Sequence, residues 1–151
     1  MRTYLVVIDD TPEASVALRF AARRAVKTGG GVEIVALLPA ADLMPWGGVQ
    51  ATIEEEARVH AEGLVQAAAG TLIAESGLKP HITVARGDAR KVIRDQVAAN
   101  PNIAALVLAA AASGTPGPLI AYFAGSEAGT LGVPIMIVPG GLTAEEIDRL
   151  S

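Results

Sequence analysis

Residues 5–12, Leu-Val-Val-Ile-Asp-Asp-Thr-Pro, constrain the fold of this 151-residue chain more than any other stretch. An apolar run of strand character stops on two carboxylates, Asp9 and Asp10, and turns at once into a helical pattern. A strand that is apolar on both faces belongs in the middle of a parallel sheet covered by helices. Acid groups at the carboxyl end of such a strand, beside a helix start, lie where open α/β sheets place their ligands.

The rest of the chain repeats the same alternation. Thr11 is expected to cap the first helix, with Pro12 at its first position. Its stripe of Ala14, Ala17, Leu18, Ala21 and Ala25 runs to Gly29-Gly30-Gly31. Val32–Leu38 reads as the second strand, and 39–48 as a loop carrying Trp46, the only Trp. A long helix over about 49–76 presents Ile53, Ala57, Ala61, Leu64, Ala68 and Leu72 on one face. His81–Ala85 is the third strand, and Asp88 caps a helix over 89–99. The fourth strand spans about Ala105–Ala109, a small-residue loop follows to Gly117, and a helix is expected over 118–130. The fifth strand is Pro134–Val138, and the tail has a capping box, Thr143 with Glu146, before Ile147 and Leu150.

Five strands alternating with four helices predict a three-layer, doubly wound α/β domain around a five-stranded parallel sheet. In the order 3-2-1-4-5 the sheet reverses between strands one and four, which sets Asp9 and Asp10 opposite the 110–117 loop. The expected division is one domain over 1–139 and a short helical tail over 140–151.

Charge and composition remove several functions. A net charge of −4 and a pI near 5.1 disfavour nucleic acid and anionic membrane as partners. Without Cys there is no disulfide, thiolate metal site or thiol nucleophile. The longest apolar run, 103–112, is well short of the roughly 20 residues of a membrane helix. Met1 leads straight into a strand with no signal-peptide pattern, so a cytoplasmic protein is expected.

Taken together, Asp9, Thr11, Ala14, Ala17 and Ala21, the strand leading into Gly87-Asp88, and the closing Val133-Pro134-Ile135-Met136-Ile137-Val138 resemble the universal stress protein family. The resemblance runs from about residue 2 to residue 139. It implies a stress-response binding and signalling module, and it places Asp9 and Leu37 beside an adenine base. One branch of that family binds ATP through Gly, two residues, Gly, nine residues, Gly and Ser or Thr after the fourth strand. Such glycines let backbone N–H groups wrap phosphates. Here Gly125-Ser126 matches the end of that pattern, but Ala109 and Ala112 occupy the first two glycine positions. Gly114 and Gly117 have the right mutual spacing but stand too close to Gly125. No Lys or Arg occurs from Asp95 through Asp148. A contact to an adenine nucleoside is therefore expected over a strong grip on ATP and Mg²⁺. The alternative is an ATP-binding switch or slow ATPase.

The resemblance also implies a homodimer, since many members pair through the last strand. Pro134-Ile135-Met136-Ile137-Val138 would be an apolar, uncharged edge, with Ile147 and Leu150 folding over this chain or its partner. Other residues read more plainly. A receiver-domain site would need an Asp ending strand three and a Lys ending strand five, where Ala85-Arg86 and Val138-Pro139 stand. An adenylating enzyme of related fold would need a Ser-Gly-Gly-type loop at Asp9–Pro12. His60 and His81 read as solvated or satisfied, Glu54–Glu56 as favouring a helix start, and Trp46 as anchoring its loop. Ser113, Thr115 and Ser126 have no evident base. No catalytic residue and no metal ligand set is assigned.

Overall fold

A computed structural model describes residues 1–38 and 47–151, with side chains from residue 52 onward in the second segment. The Trp46 loop lies outside the described residues. Five strands form one sheet in the order β3-β2-β1-β4-β5. They are β1 (Thr3–Ile8), β2 (Gly31–Leu38), β3 (His81–Arg86), β4 (Ile103–Ala110) and β5 (Ile135–Pro139). Every neighbouring pair is parallel, with Val6 opposite Ile34 on one side and Val107 on the other. Helices α1 (Glu13–Thr28), α2 (Gly47–Ser76), α3 (Ala89–Ala99), α4 (Pro118–Phe123) and α5 (Ala144–Leu150) complete the chain.

All six residues of β1 are buried, because side chains alternate between two helix-covered faces. Tyr4, Val6 and Ile8 join the core under α1 and α2. Leu5 and Val7 join a second core with Ile93 of α3 and Phe123 of α4. The alanines of α1 do as their spacing predicts: Ala17, Ala21 and Ala25 are buried against the sheet. Gly30 is required by close approach, since a Cβ there would stand 2.0 Å from the Arg2 carbonyl oxygen.

Three local expectations are corrected. Pro12, not Thr11, occupies the cap position of α1, and no side chain caps it. The Thr11 hydroxyl instead donates to Asp9 Oδ1 at 2.5 Å. On α2, Ile53 is 51% exposed, whereas Val65 is buried. A thirty-residue helix outruns the sheet it covers, so its packed stripe begins near Ala61. The helix expected over 118–130 stops at Phe123 and resumes as a 3₁₀ turn, Ala128–Thr130. Gly125 and Gly129, poor helix formers, fall in that stretch. Of the tail's apolar pair, Ile147 packs against the body of the domain at 2% exposure and Leu150 is 52% exposed in the single chain.

The tail's capping box forms as read from the sequence: Thr143 Oγ1 accepts from Glu146 N–H, and Glu146 accepts from Thr143 N–H. Helix α5 lies along α1, held by Arg19 and Arg23 on Asp148. Among the described residues no helix is long and apolar enough to cross a membrane.

Candidate functional site

All strands of the sheet point the same way, so the segments leaving β1, β3 and β4 gather at the carboxyl end of the sheet. There the reversal of strand order between β1 and β4 opens a crevice of about 630 Å³. That volume is in the usual range for small-molecule sites. Val7, Ala36, Leu37, Leu108 and Ala109 give it an apolar floor. Its polar groups stand on the rim.

On the β1 side, Asp9 Oδ1 accepts from both the N–H of Thr11 at 3.0 Å and its hydroxyl. This self-closing turn fixes where the carboxylate stands. Asp10 reaches a different element: its two oxygens lie 2.8 and 2.7 Å from His60 Nε2. The pair is open to solvent, with the side chains 59% and 70% exposed. It ties α2 to the β1–α1 turn across the mouth of the crevice.

On the opposite rim, Asp88 caps α3 by accepting from the N–H of Arg90 at 2.9 Å. The Arg90 guanidinium returns to the same carboxylate, with Nε 3.2 Å from Oδ1 and Nη2 3.1 Å from Oδ2. These hydrogen bonds hold the Asp88 carboxyl below its ordinary range, the side-chain contact contributing most, and raise Arg90 in return. Arg90 also lies over the Tyr122 ring, 5.0 Å from its centroid. Arg94 lies over the same ring at 5.6 Å, but its donors go to Tyr122 Oη, Glu127 and Thr130.

The residues singled out from sequence divide in two. Asp9, Leu37, Ala109 and Gly117 line this crevice. Ala112 is exposed beside Gly141, and Gly114 sits at the exposed tip of the same loop. Gly125 and Ser126 lie beyond the end of α4, exposed, with the Gly125 carbonyl accepting from Ala128. The crevice thus brings together one half of the set, and Ala112, Gly114, Gly125 and Ser126 fall outside its lining.

Sequence reasoning assigns none of His60, Asp88, Arg90 and Tyr122 to the site, although it reads Asp88 as the α3 cap and His60 as solvated or satisfied, as both are. A search for cations confined to the stretch after Asp95 passes over Arg90. The available signal was topological: the β3–α3 turn opens at the same sheet edge as Asp9, so a cation just past Asp88 belongs to the same rim. His60 had no local signal, being fifty positions from Asp10.

A doubly wound parallel sheet with a crevice at its switch point is the class of α/β domain whose members place ligands at that point. The sequence matches the universal stress protein family over residues 1–139, and the chain belongs to that family. Its fold is shared with the universal stress protein UspA from Lactobacillus plantarum, at TM-score 0.75 and 16% identity over 91% of this chain and 97% of that one. A universal stress protein from Archaeoglobus fulgidus in complex with dAMP superposes at TM-score 0.64 and 17% identity, covering 91% and 98%. A family protein from Arabidopsis thaliana with AMP bound superposes at TM-score 0.59 and 12% identity, covering 92% of each chain. No curated protein sequence matches the chain significantly.

Proposed function

We propose that this protein is a non-catalytic, cytoplasmic binding and signalling module of the stress response whose crevice takes an adenine nucleoside. The observation that carries this is the pairing of an apolar floor with a fixed carboxylate at its edge. Leu37 and Ala109 offer flat contact for a base, and Asp9, held by Thr11, offers an acceptor for an amino group. The dAMP and AMP complexes of structurally similar proteins support an adenine ligand.

The donor set suits few negative charges. Among the described residues, Asp9, Asp10, Glu13 and Asp88 line the crevice against a single guanidinium, that of Arg90. Among the described residues no three His, Asp or Glu side chains converge as a metal site would need. Nor is a reaction supported. The Thr11 hydroxyl, which shares the wall with the His60–Asp10 pair, donates to Asp9 and not to His60.

Calorimetry with adenosine, AMP and ATP tests the reading, with sub-millimolar binding expected for adenosine or AMP. Binding of none of the three would overturn it. Tight binding of ATP with Mg²⁺ alone, followed by turnover, would favour a nucleotide switch or slow ATPase instead.

The same reading includes a homodimer across β5. That strand is an edge of the sheet, with Ile137 43% exposed and Ile135 and Met136 half-buried. Unpaired apolar edges are normally covered. A monomer in sedimentation at micromolar concentration would exclude this pairing.

A further inference from the structure

We infer that Arg90 is an anion-binding group of the crevice, selecting an adenine nucleoside that carries one phosphate over both the bare nucleoside and the triphosphate. The inference rests on the adenine-site reading and adds to it the charge of the ligand and the residue that reads it.

The guanidinium of Arg90 is poised and underused. Asp88 takes Nε and one N–H of Nη2. A guanidinium carries five N–H donors in a planar fork, so three are left for a ligand. The Tyr122 ring, 5.0 Å away, gives that plane a surface to rest on. The neighbouring Arg94 makes the contrast. Its donors are spent on Tyr122 Oη, Glu127 and the carbonyl and hydroxyl of Thr130, and it does not line the crevice. Of the two arginines on this ring, only Arg90 can turn to a ligand without breaking a network.

The Asp88–Arg90 pair is no obstacle. Its side chains are 50% and 54% exposed, so water screens it and the pair holds weakly. Arginine binds phosphate oxygens with paired N–H donors, the arrangement an exposed, ring-backed guanidinium presents.

The position of the charges sets the limit on the ligand. Arg90 is the single Lys or Arg among the described residues of the crevice lining, whereas Asp9, Asp10 and Glu13 line it from the β1–α1 side. One phosphate reaches the guanidinium and stays there. A triphosphate extends further negative charge into the same crevice with no second side-chain cation to receive it. The residues at the ATP-type positions add no cation: Ala109 and Gly117 reach the lining, and Ala112, Gly114, Gly125 and Ser126 lie outside it.

The test compares adenosine, AMP and Mg²⁺-free ATP by calorimetry on the full chain and on Arg90→Ala and Arg90→Lys. AMP should bind about 10-fold tighter than adenosine, and ATP no tighter than AMP. Arg90→Ala should abolish the AMP advantage, so that the variant binds AMP no tighter than it binds adenosine. Arg90→Lys, which keeps the charge but loses the fork, should fall between. Raising the salt concentration on the wild-type chain should erase the AMP advantage without weakening adenosine, a readout that needs no variant to fold. If adenosine binds but AMP is no tighter, or if the AMP advantage survives in Arg90→Ala, this inference is overturned and the nucleoside site stands. If none of the three ligands binds, both are overturned.

Discussion

Asp9 Oδ1 accepts two hydrogen bonds from Thr11, one from the backbone N–H at 3.0 Å and one from the hydroxyl at 2.5 Å. One oxygen of the carboxylate therefore closes the β1–α1 turn, and Oδ2 has no partner among the described residues. A group so divided can hold its own loop and meet a ligand together. Asp9→Asn keeps an acceptor for Thr11, whereas Asp9→Ala removes both the turn contact and the ligand contact. We expect Asp9→Ala to weaken adenosine about 10-fold and Asp9→Asn to weaken it less. Both should melt near the wild-type temperature, because Asp9 and Thr11 are exposed. Calorimetry and thermal melts of the two variants decide it, and wild-type affinity in Asp9→Ala would remove Asp9 from the site.

Helix α5 gives the molecule an acid-sensitive contact. Asp148 accepts from Arg19 Nε at 2.9 Å and from Nη2 at 2.8 Å, and Arg23 stands 3.2 Å away. These hydrogen bonds, Arg19's above all, hold the Asp148 carboxyl below its ordinary value of 3.8. A carboxyl lowered in the folded state adds stability above its unfolded value, and that stability is lost as pH falls through the folded value. Asp148→Asn should thus melt below wild type at neutral pH, with the gap closing as pH drops under about 4. The effect should be small and salt-sensitive, since Asp148 is 38% exposed. A gap that stays constant from pH 7 to pH 3 would assign the difference to something other than this carboxylate.

Most of the fold was legible because its signals are periodic. Ala14, Ala17, Ala21 and Ala25 fall on one helical stripe, and the run Leu5–Ile8 is apolar on both faces, so element type and layer order follow from local pattern. What escaped depends on choices between near-equal local partners. Thr11 could cap α1 or turn back to Asp9, and the sequence is the same in both cases. The stop of α4 at Phe123 is a balance between a short helix and two glycines. The site was half legible for a further reason. Asp9, Leu37 and Ala109 sit at strand ends that topology alone brings together, and Gly117 starts the helix after β4, whereas the Asp10–His60 and Arg90–Tyr122 contacts depend on how α2, α3 and α4 pack.

Glycines of equal appearance in the sequence should respond in opposite directions. Gly63 and Gly70 lie in the interior of α2, and a Cβ at either meets nothing within 4 Å. Alanine there removes backbone freedom from the unfolded chain and raises helix propensity, so each change should stabilise by about 0.5–1 kcal/mol. Gly140 is different: its N–H donates to the Ala110 carbonyl at 2.7 Å, and a Cβ would stand 2.3 Å from that same oxygen. The nearest obstacle is backbone and cannot swing aside. Gly140→Ala should cost about 2–3 kcal/mol, read from urea unfolding. Neutral behaviour at Gly140 would mean that the β5 end relaxes away from β4.

The last prediction concerns how a six-residue helix can hold a wall of the crevice. Helix α4 is too short to be stable alone. It is pinned by Phe123, which is fully buried in the second core, and by Ile120, which is nearly so. Phe123 also meets the neighbouring Tyr122 edge to face, with centroids 4.8 Å apart at 83°. Pro118, Leu119 and Tyr122 of the same helix face the crevice. Phe123→Ala should cost about 3–5 kcal/mol in stability. It should also weaken adenosine and AMP at a temperature where the variant is still folded, because the Tyr122 wall loses its anchor. Phe123→Leu, which fills most of the volume, should cost less and leave binding closer to wild type. Urea unfolding paired with calorimetry separates the two effects. A Phe123→Ala variant that loses the stability but binds AMP as the wild type does would show that α4 holds its place through Ile120 and its chain connections alone.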